Sequence, residues 1–101
     1  MSGVRDKIEI LVDQPLVRRV TEAADRAGVS GYTLLPTLGG KGHGGRWSDD
    51  QLTGAASKVM FWTVTSRDKA DALIAALSPL LDSYSLLLTR SQVDVVREAR
   101  F

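Results

Sequence analysis

The chain has 101 residues, the length of one domain, and carries 13 basic against 12 acidic residues, a net charge of +1. This balance argues against bulk electrostatic binding to DNA or to a membrane surface, but it leaves a local anion site open. The absence of cysteine excludes disulfides and thiolate metal sites. Because no apolar run approaches the roughly 20 residues of a membrane span and no signal-peptide block opens the chain, we expect a cytoplasmic protein without membrane insertion.

The first third of the chain predicts a strand, a helix and a second strand. Residues 7–12 alternate apolar and other side chains, as a half-buried strand does. Asp13 can cap a helix over 15–27, and Gly28 stands where a C-terminal cap is expected. Residues 31–38 read as a strand at a sheet edge or with a bulge, because the proline within them cannot donate to a ladder.

The second half predicts a strand, a helix and a final strand. Residues 58–65, "KVMFWTVT", give the strongest strand signal of the chain. Thr65 or Ser66 can cap the helix that follows, and Pro79 is expected to end or kink it. That helix has an apolar stripe made of Ala70, Leu73, Ile74, Leu77 and Leu81. Residues 85–96 read as the last strand.

The order of elements, βαββαβ, predicts an α+β protein with the ferredoxin-like arrangement, in which two helices cover one face of a four-stranded antiparallel sheet. We therefore treat residues 1–101 as a single domain. No helix of the chain is left to cover the opposite face, where Leu35, Leu38, Met60, Trp62 or their neighbours would be exposed. An exposed apolar face of this kind predicts an oligomer.

Residues 39–57 show no apolar period and connect strands two and three. This connection is far longer than an ordinary hairpin loop of 2–5 residues. Glycines let backbone N–H groups approach a ligand, and successive N–H groups form an anion-binding nest. Lys41, His43 and Arg46 add cationic donors, and a guanidinium can hold a phosphate or carboxylate bidentately. The stretch therefore suits a small anion. The alternative is a flexible, solvated connection with no ligand.

Single residues of this loop allow two interpretations each. His43 is the only histidine, so a metal site within one chain would be incomplete, although a trimer could supply three copies. Trp47 could stack on a base or pack against its own protein. Asp49 and Asp50 are adjacent acids that rarely share a pocket, and solvation of the loop explains them as well.

The segment "GVSGYTLLPTLGGKGHGG", the strand "KVMFWTV" and the alanine-rich helix resemble the PII signal-transduction superfamily, over a stretch that runs from the first strand to about residue 96. The best local match is the triplet Gly31, Tyr32 and Thr33, with Gly39 opening the loop. The resemblance implies that Thr33 contacts the adenine of a nucleotide and that residues 39–57 are a flexible T-loop that docks onto a target protein. It also implies a homotrimer with inward sheet faces and nucleotides between subunits.

The chain departs from the nitrogen-regulatory members of that family. Its loop has no tyrosine, "LLDSYS" stands where a glycine- and lysine-rich phosphate loop is expected, and the chain ends soon after the last strand. These departures weaken the case for triphosphate binding and 2-oxoglutarate sensing. They favour the PII-like branch associated with carboxysomes and bicarbonate transport. That branch implies a sensor of ADP or AMP, and of bicarbonate, whose target is a transporter or a carbon-fixation component.

The resemblance assigns candidate residues, and it implies ligands rather than a cofactor. The C-terminal arginines are expected to reach phosphate from the neighbouring subunit. The expected nucleotide-binding residues are Gly31, Tyr32, Thr33, Gly39, Gly40, Lys41, Gly42, Arg46, Arg97 and Arg100. The expected residues for bicarbonate or another anion are Lys41, Gly42, His43, Gly44, Gly45 and Arg46.

Two other functions remain open at this point. A PII-like branch linked to heavy-metal efflux suggests a metal-responsive protein, with His43 and carboxylates such as Asp49 as ligands. An enzyme is the third possibility, but a single histidine, no cysteine and no clustered acid pair leave few groups for acid–base chemistry, so we expect none.

Overall fold

The computed structural model of the chain describes residues 3–42, 45–48 and 57–97. Two helices and six strands occur in these ranges, with a 3₁₀ turn before the first helix. In chain order they are β1 (Gly3–Asp13), the 3₁₀ turn (Gln14–Leu16), α1 (Val17–Arg26), β2 (Thr33–Pro36), β3 (Gly39–Gly42), β4 (Gly45–Ser48), β5 (Lys58–Thr65), α2 (Arg67–Ser83) and β6 (Leu87–Val95).

Four strands form the main antiparallel sheet in the order β2-β5-β1-β6. The strands predicted first and third, β1 and β5, are central, and β2 with its proline lies at an edge, as the sequence predicted. The α+β class and the antiparallel sheet with two helices are therefore confirmed. Strands β3 and β4 form a separate two-stranded hairpin, which the sequence analysis did not anticipate.

The core lies between both helices and one face of the sheet. Strands β1 and β5 alternate between fully buried and half-buried residues, as a two-sided strand does. The helical stripes predicted from sequence supply the other side, with Val20 of α1 and Leu73 and Leu77 of α2 fully buried. Phe61 is the largest fully buried side chain and stands in the middle of β5.

A row of apolar side chains crosses the opposite face of the sheet. Leu35 of β2 pairs with Met60 of β5, Met60 with Leu11 of β1, and Leu11 with Leu87 of β6. Because directly paired residues of antiparallel strands share a face, the four side chains lie side by side. Leu35 is 44% and Leu87 59% exposed, and no helix among the described residues covers them. We call this set the open-face row.

Several element ends differ from the sequence predictions. Asp13 makes no capping hydrogen bond and instead forms an ion pair with Lys58. Gly28 does follow the end of α1, with a φ of 83° and its N–H donating to a carbonyl of the last turn. Helix α2 does not end at Pro79 but continues to Ser83, because leucines of its last turns still pack against the core. No helix in the described ranges has the length and apolarity needed to span a membrane.

Candidate functional site

The hairpin of β3 and β4 places two cationic side chains side by side. Lys41 and Arg46 are directly paired across the two strands, and both are exposed. Paired residues have Cβ atoms about 4.5–5.5 Å apart, and like charges at that separation destabilise a hairpin. Within the described ranges neither side chain has a hydrogen bond or an ion pair. The backbone thus brings together two cations that have no anionic partner among the described residues.

Glycine is required at the start of β4. Gly45 has a φ of 103°, a backbone conformation that other residues rarely adopt. The two residues before it, His43 and Gly44, lie outside the described residues, so their expected role in anion binding stays a prediction. Gly42, on the other side of them, has open space where a side chain would start.

Trp47 packs against its own chain. Its indole covers Gly40, the residue paired with it across the hairpin, so closely that an ideal Cβ on Gly40 would overlap Cη2 and lie 2.6 Å from Cζ2. The indole Nε1–H donates to the Oγ1 of Thr37 at 3.0 Å. Of the two interpretations of Trp47, the structure shows packing. Gly40 was expected to contact the ligand, and in this structure the indole of Trp47 packs on it.

The contacts continue from Thr37 into the main sheet. The hydroxyl of Thr37 donates to the backbone carbonyl of Lys58 at 2.7 Å, and its backbone N–H points to the same oxygen at 3.3 Å. The ammonium of Lys58 lies 5.2 Å from the centroid of the Trp47 ring and 2.5 Å from Oδ1 of Asp13. A chain of contacts therefore joins the hairpin to the start of β5 and the end of β1.

The triplet expected to bind the base lies at the start of β2. The carbonyl of Gly31 accepts a hydrogen bond from the Oγ1 of Thr63 at 2.6 Å. The ring of Tyr32 stacks on Phe61 with centroids 5.1 Å apart and is 39% exposed. Thr33 is exposed at the sheet edge and pairs with Trp62. Tyr32 thus has a packing role, while the side chain of Thr33 is accessible.

One chain does not bring Arg97 to this triplet. Arg97 is exposed in the turn after β6, at the sheet edge opposite to β2. Three strand spacings separate the edges, about 14 Å. Across the sheet, Thr33 is level with Thr89, which lies six residues before the end of β6. Thr33 and Arg97 are therefore also displaced from each other along the strands. Arg100 lies outside the described residues.

A second polar cluster lies at the N-terminal end of α2. Arg90 of β6 donates from Nε to Oδ2 of Asp6 at 2.7 Å and from Nη1 to Oδ1 of Asp71 at 2.8 Å. These two carboxylates, Asp71 first, raise the pKa of Arg90 above its ordinary value. A shallow cavity of about 260 Å³ is lined by Asp6, Arg67, Asp71, Arg90, Ser91 and Gln92. Through its bonds to Asp6 and Asp71, Arg90 connects β6 with both β1 and α2.

The described ranges contain no group of three histidine, cysteine or acidic side chains that could hold a metal ion. His43, Asp49 and Asp50 lie outside them, so the metal-responsive alternative stays an untested prediction.

Sequence reasoning missed the residues that attach the hairpin. Thr37 and Lys58 are ordinary strand-end residues whose partners stand ten or more positions away along the chain. A weak signal was present in the glycine pair that precedes Trp47, since a glycine leaves room for an aromatic ring to lie over the backbone.

Comparisons with known proteins place these features in a family. The family model described as nitrogen regulatory protein P-II matches residues 5–100. No curated protein matched the sequence. CPII from Thiomonas intermedia, a nitrogen regulatory PII-like protein solved bound to ADP, AMP and bicarbonate, is 24% identical over 100% of this chain and 96% of that chain, with a TM-score of 0.89.

Two further solved structures are similar. CPII bound to ADP and bicarbonate gives 25% identity over 100% of this chain and 97% of that chain, with a TM-score of 0.86. A PII-like signaling protein from Thermus thermophilus is 20% identical, covering 99% of this chain and 97% of that chain with a TM-score of 0.83. The similarity thus extends over nearly the whole of each chain.

Proposed function

The chain belongs to the nitrogen regulatory protein P-II family, and from that membership we propose that it is a PII-like sensor of an adenine nucleotide and a small anion. The nucleotide is ADP or AMP and the anion is bicarbonate, the ligands found with a similar structure. Proteins of the family are regulatory. We expect this one to have no enzymatic activity and to signal inorganic-carbon or energy status in the cytoplasm.

The observation that carries the proposal is the facing pair of Lys41 and Arg46. Two cations held opposite each other across a hairpin repel, and an anion between them removes that repulsion. The guanidinium can bind a carboxylate-like anion bidentately, while the ammonium adds a point charge. Bicarbonate and a nucleotide phosphate both have this chemistry.

The nucleotide would lie along the free edge of β2. Thr33 opens that strand and Gly39 begins the hairpin just beyond its end, so a base at Thr33 and phosphates at the hairpin follow one edge of the sheet. Gly31 and the exposed face of Tyr32 flank the base. In this arrangement Thr33 hydrogen-bonds to the base, and Lys41 and Arg46 bind the negative charge of the phosphate or bicarbonate.

A homotrimer completes the proposed site. The open-face row supplies an apolar surface for subunit contact, and Arg97 with Arg100 would approach the β2 edge from a neighbouring subunit. The distance between Arg97 and Thr33 within one chain supports such an arrangement, because one subunit cannot use both residues on one nucleotide. The segment 39–57 would dock onto the target, a transporter or a carbon-fixation component.

Titration calorimetry tests the proposal with ADP, AMP and ATP, each with and without bicarbonate. Wild-type protein should bind ADP or AMP, and bicarbonate should increase that affinity. K41A and R46A should each weaken binding by about 10- to 150-fold, the value of a charge-assisted hydrogen bond of roughly 1.5–3 kcal/mol. The control R26A removes an exposed cation from the end of α1 and should bind as wild type does.

The outcomes separate the proposal from its alternatives. Absence of binding to every nucleotide and to bicarbonate would overturn it. Equal losses in R26A and R46A would show that only the overall charge matters. Losses confined to the hairpin variants would support the site.

A further inference from the structure

We infer that Trp47 is a positioning residue for the anion site, acting through Thr37 and Gly40 to hold Lys41 and Arg46 against the body of the protein. The ligand part of this inference rests on the proposed function, whereas the positioning part concerns the hairpin itself. Trp47 need not touch the anion in this role.

The two faces of the hairpin are different. Neighbouring residues of a strand point to opposite faces, and paired residues share a face. Lys41 and Arg46 therefore lie on one face, and Gly40 and Trp47 on the other. Since Trp47 contacts Thr37 and lies beside Lys58, its face is turned to the main sheet. The basic pair is consequently directed away from that contact.

Gly40 makes the indole fit. The ring of Trp47 occupies the space in which a side chain of residue 40 would start, so any larger residue there must displace the ring. Gly42, two residues further along the same strand, has nothing within 4 Å of an added Cβ and has no positive φ. Of these two positions, only the one opposite Trp47 therefore excludes a side chain for lack of space.

Thr37 transmits the position of Trp47 to β5. Its hydroxyl accepts from the indole and donates to the carbonyl of Lys58, so one oxygen uses both hydrogen-bonding abilities. Asp13 holds the ammonium of Lys58 beside the indole ring. These contacts link β4 of the hairpin with β5 and β1 of the main sheet. Removing the indole N–H of Trp47 or the hydroxyl of Thr37 should therefore break this attachment of the hairpin to the main sheet, while Lys41 and Arg46 remain in place in the sequence.

The binding test compares W47F, T37V and T37S. W47F keeps an aromatic ring but loses the N–H, T37V loses the hydroxyl, and T37S retains it. W47F and T37V should weaken bicarbonate binding in the presence of ADP about two- to twelvefold, the factor expected for one neutral hydrogen bond, and T37S should restore it. T21V removes a hydroxyl from α1, away from the hairpin, and should bind as wild type does.

A second readout needs no ligand. The indole N–H signal of Trp47 in an NMR spectrum is identified by comparison with W62F, and its exchange with water is measured in the free protein. The signal should be protected in wild type and T37S and should exchange faster in T37V and G40A. G42A should leave the indole signal protected, because it introduces no clash.

The two readouts distinguish failure of this inference from failure of the proposed function. If wild type binds neither nucleotide nor bicarbonate, the proposed function fails, and indole exchange still decides the positioning. Unchanged indole exchange in T37V and G40A would overturn the inference. So would wild-type affinity in both W47F and T37V. Equal loss of affinity in T37S and T37V would also overturn it, because the hydroxyl would then have no role.

Discussion

The guanidinium of Arg90 reaches the buried carboxylate of Asp6 across two neighbouring strands, with Nη2 and Oδ2 2.5 Å apart. The two residues stand 84 positions apart in the chain. Asp6 is only 5% exposed, so water can replace little of what this partner provides. A second ion pair from Arg90 to Asp71 on α2 makes the arginine a bridge between the edge strand, the central strand and a helix.

R90M should lower the free energy of unfolding, and by more than D71N does. Removing the guanidinium leaves the carboxylate of Asp6, which is only 7% exposed, without its ion-pair partner. D71N should cost less than about 1 kcal/mol, because Asp71 is largely exposed. Urea unfolding at one protein concentration measures both. If D71N costs as much as R90M, the pair with Asp6 is not the main contribution.

T33V should weaken binding of ADP or AMP while leaving the fold intact. Thr33 is exposed on an edge strand, so the substitution is sterically tolerated, whereas a lost hydrogen bond to the base costs roughly 0.5–1.5 kcal/mol. Calorimetry should show a loss of about two- to twelvefold. T33S keeps the hydroxyl and should bind nearly as wild type does. Unchanged affinity in T33V would make Thr33 a strand residue only.

M60D should convert the expected homotrimer into smaller species. Met60 lies in the middle of the open-face row, between Leu11 and Leu35, where a carboxylate would be desolvated by a subunit packed on that face. A72D introduces the same charge on the exposed side of α2 and should leave the assembly unchanged. Light scattering at micromolar concentration measures the mass. A monomeric wild type, or a trimeric M60D, would contradict the use of this face.

Local patterns predicted the main sheet well. Burial of one strand face places an apolar side chain at every second residue. This pattern is visible around Ile8 and Ile10 and in the β-branched and aromatic run around Phe61. The edge position of β2 followed from Pro36, because its missing N–H is tolerated only there or at a bulge. These features depend on near neighbours in the sequence.

Contacts between distant residues were not predictable in the same way. The glycine-rich strand β3 has no apolar period, so hydrophobic patterning does not predict the hairpin. Its attachment depends on contacts of Trp47 with Thr37 and Lys58, which are distant in sequence. Asp13 looked like a helix cap because its type suits one, but tertiary structure supplied a cationic partner instead. Of the candidate site, the sequence singled out Lys41 and Arg46 as candidate residues, whereas the contacts that attach the hairpin came only from the structure.

A bound ligand should slow amide exchange in the hairpin of β3 and β4. Each residue that a ligand fixes costs about 1–2 kcal/mol of conformational entropy, more than one small ligand can supply over the whole segment 39–57. The pairing of β3 with β4 and the contact of Trp47 with Thr37 already constrain part of it. A ligand therefore has few residues left to fix near Lys41 and Arg46.

Saturating ADP with bicarbonate should slow amide exchange in residues 39–42 and 45–47, with a smaller effect for either ligand alone. Amides of Ile10 and Phe61 in the central strands should be unaffected, because they lie in the core away from the hairpin. Mass spectrometry of exchanged peptides can resolve the two regions. If ADP, AMP and bicarbonate, singly and together, leave exchange in the hairpin unchanged, then Lys41 and Arg46 do not sense the anion. Equal slowing in the central strands would indicate general stabilisation of the fold, so the site requires an effect confined to the hairpin.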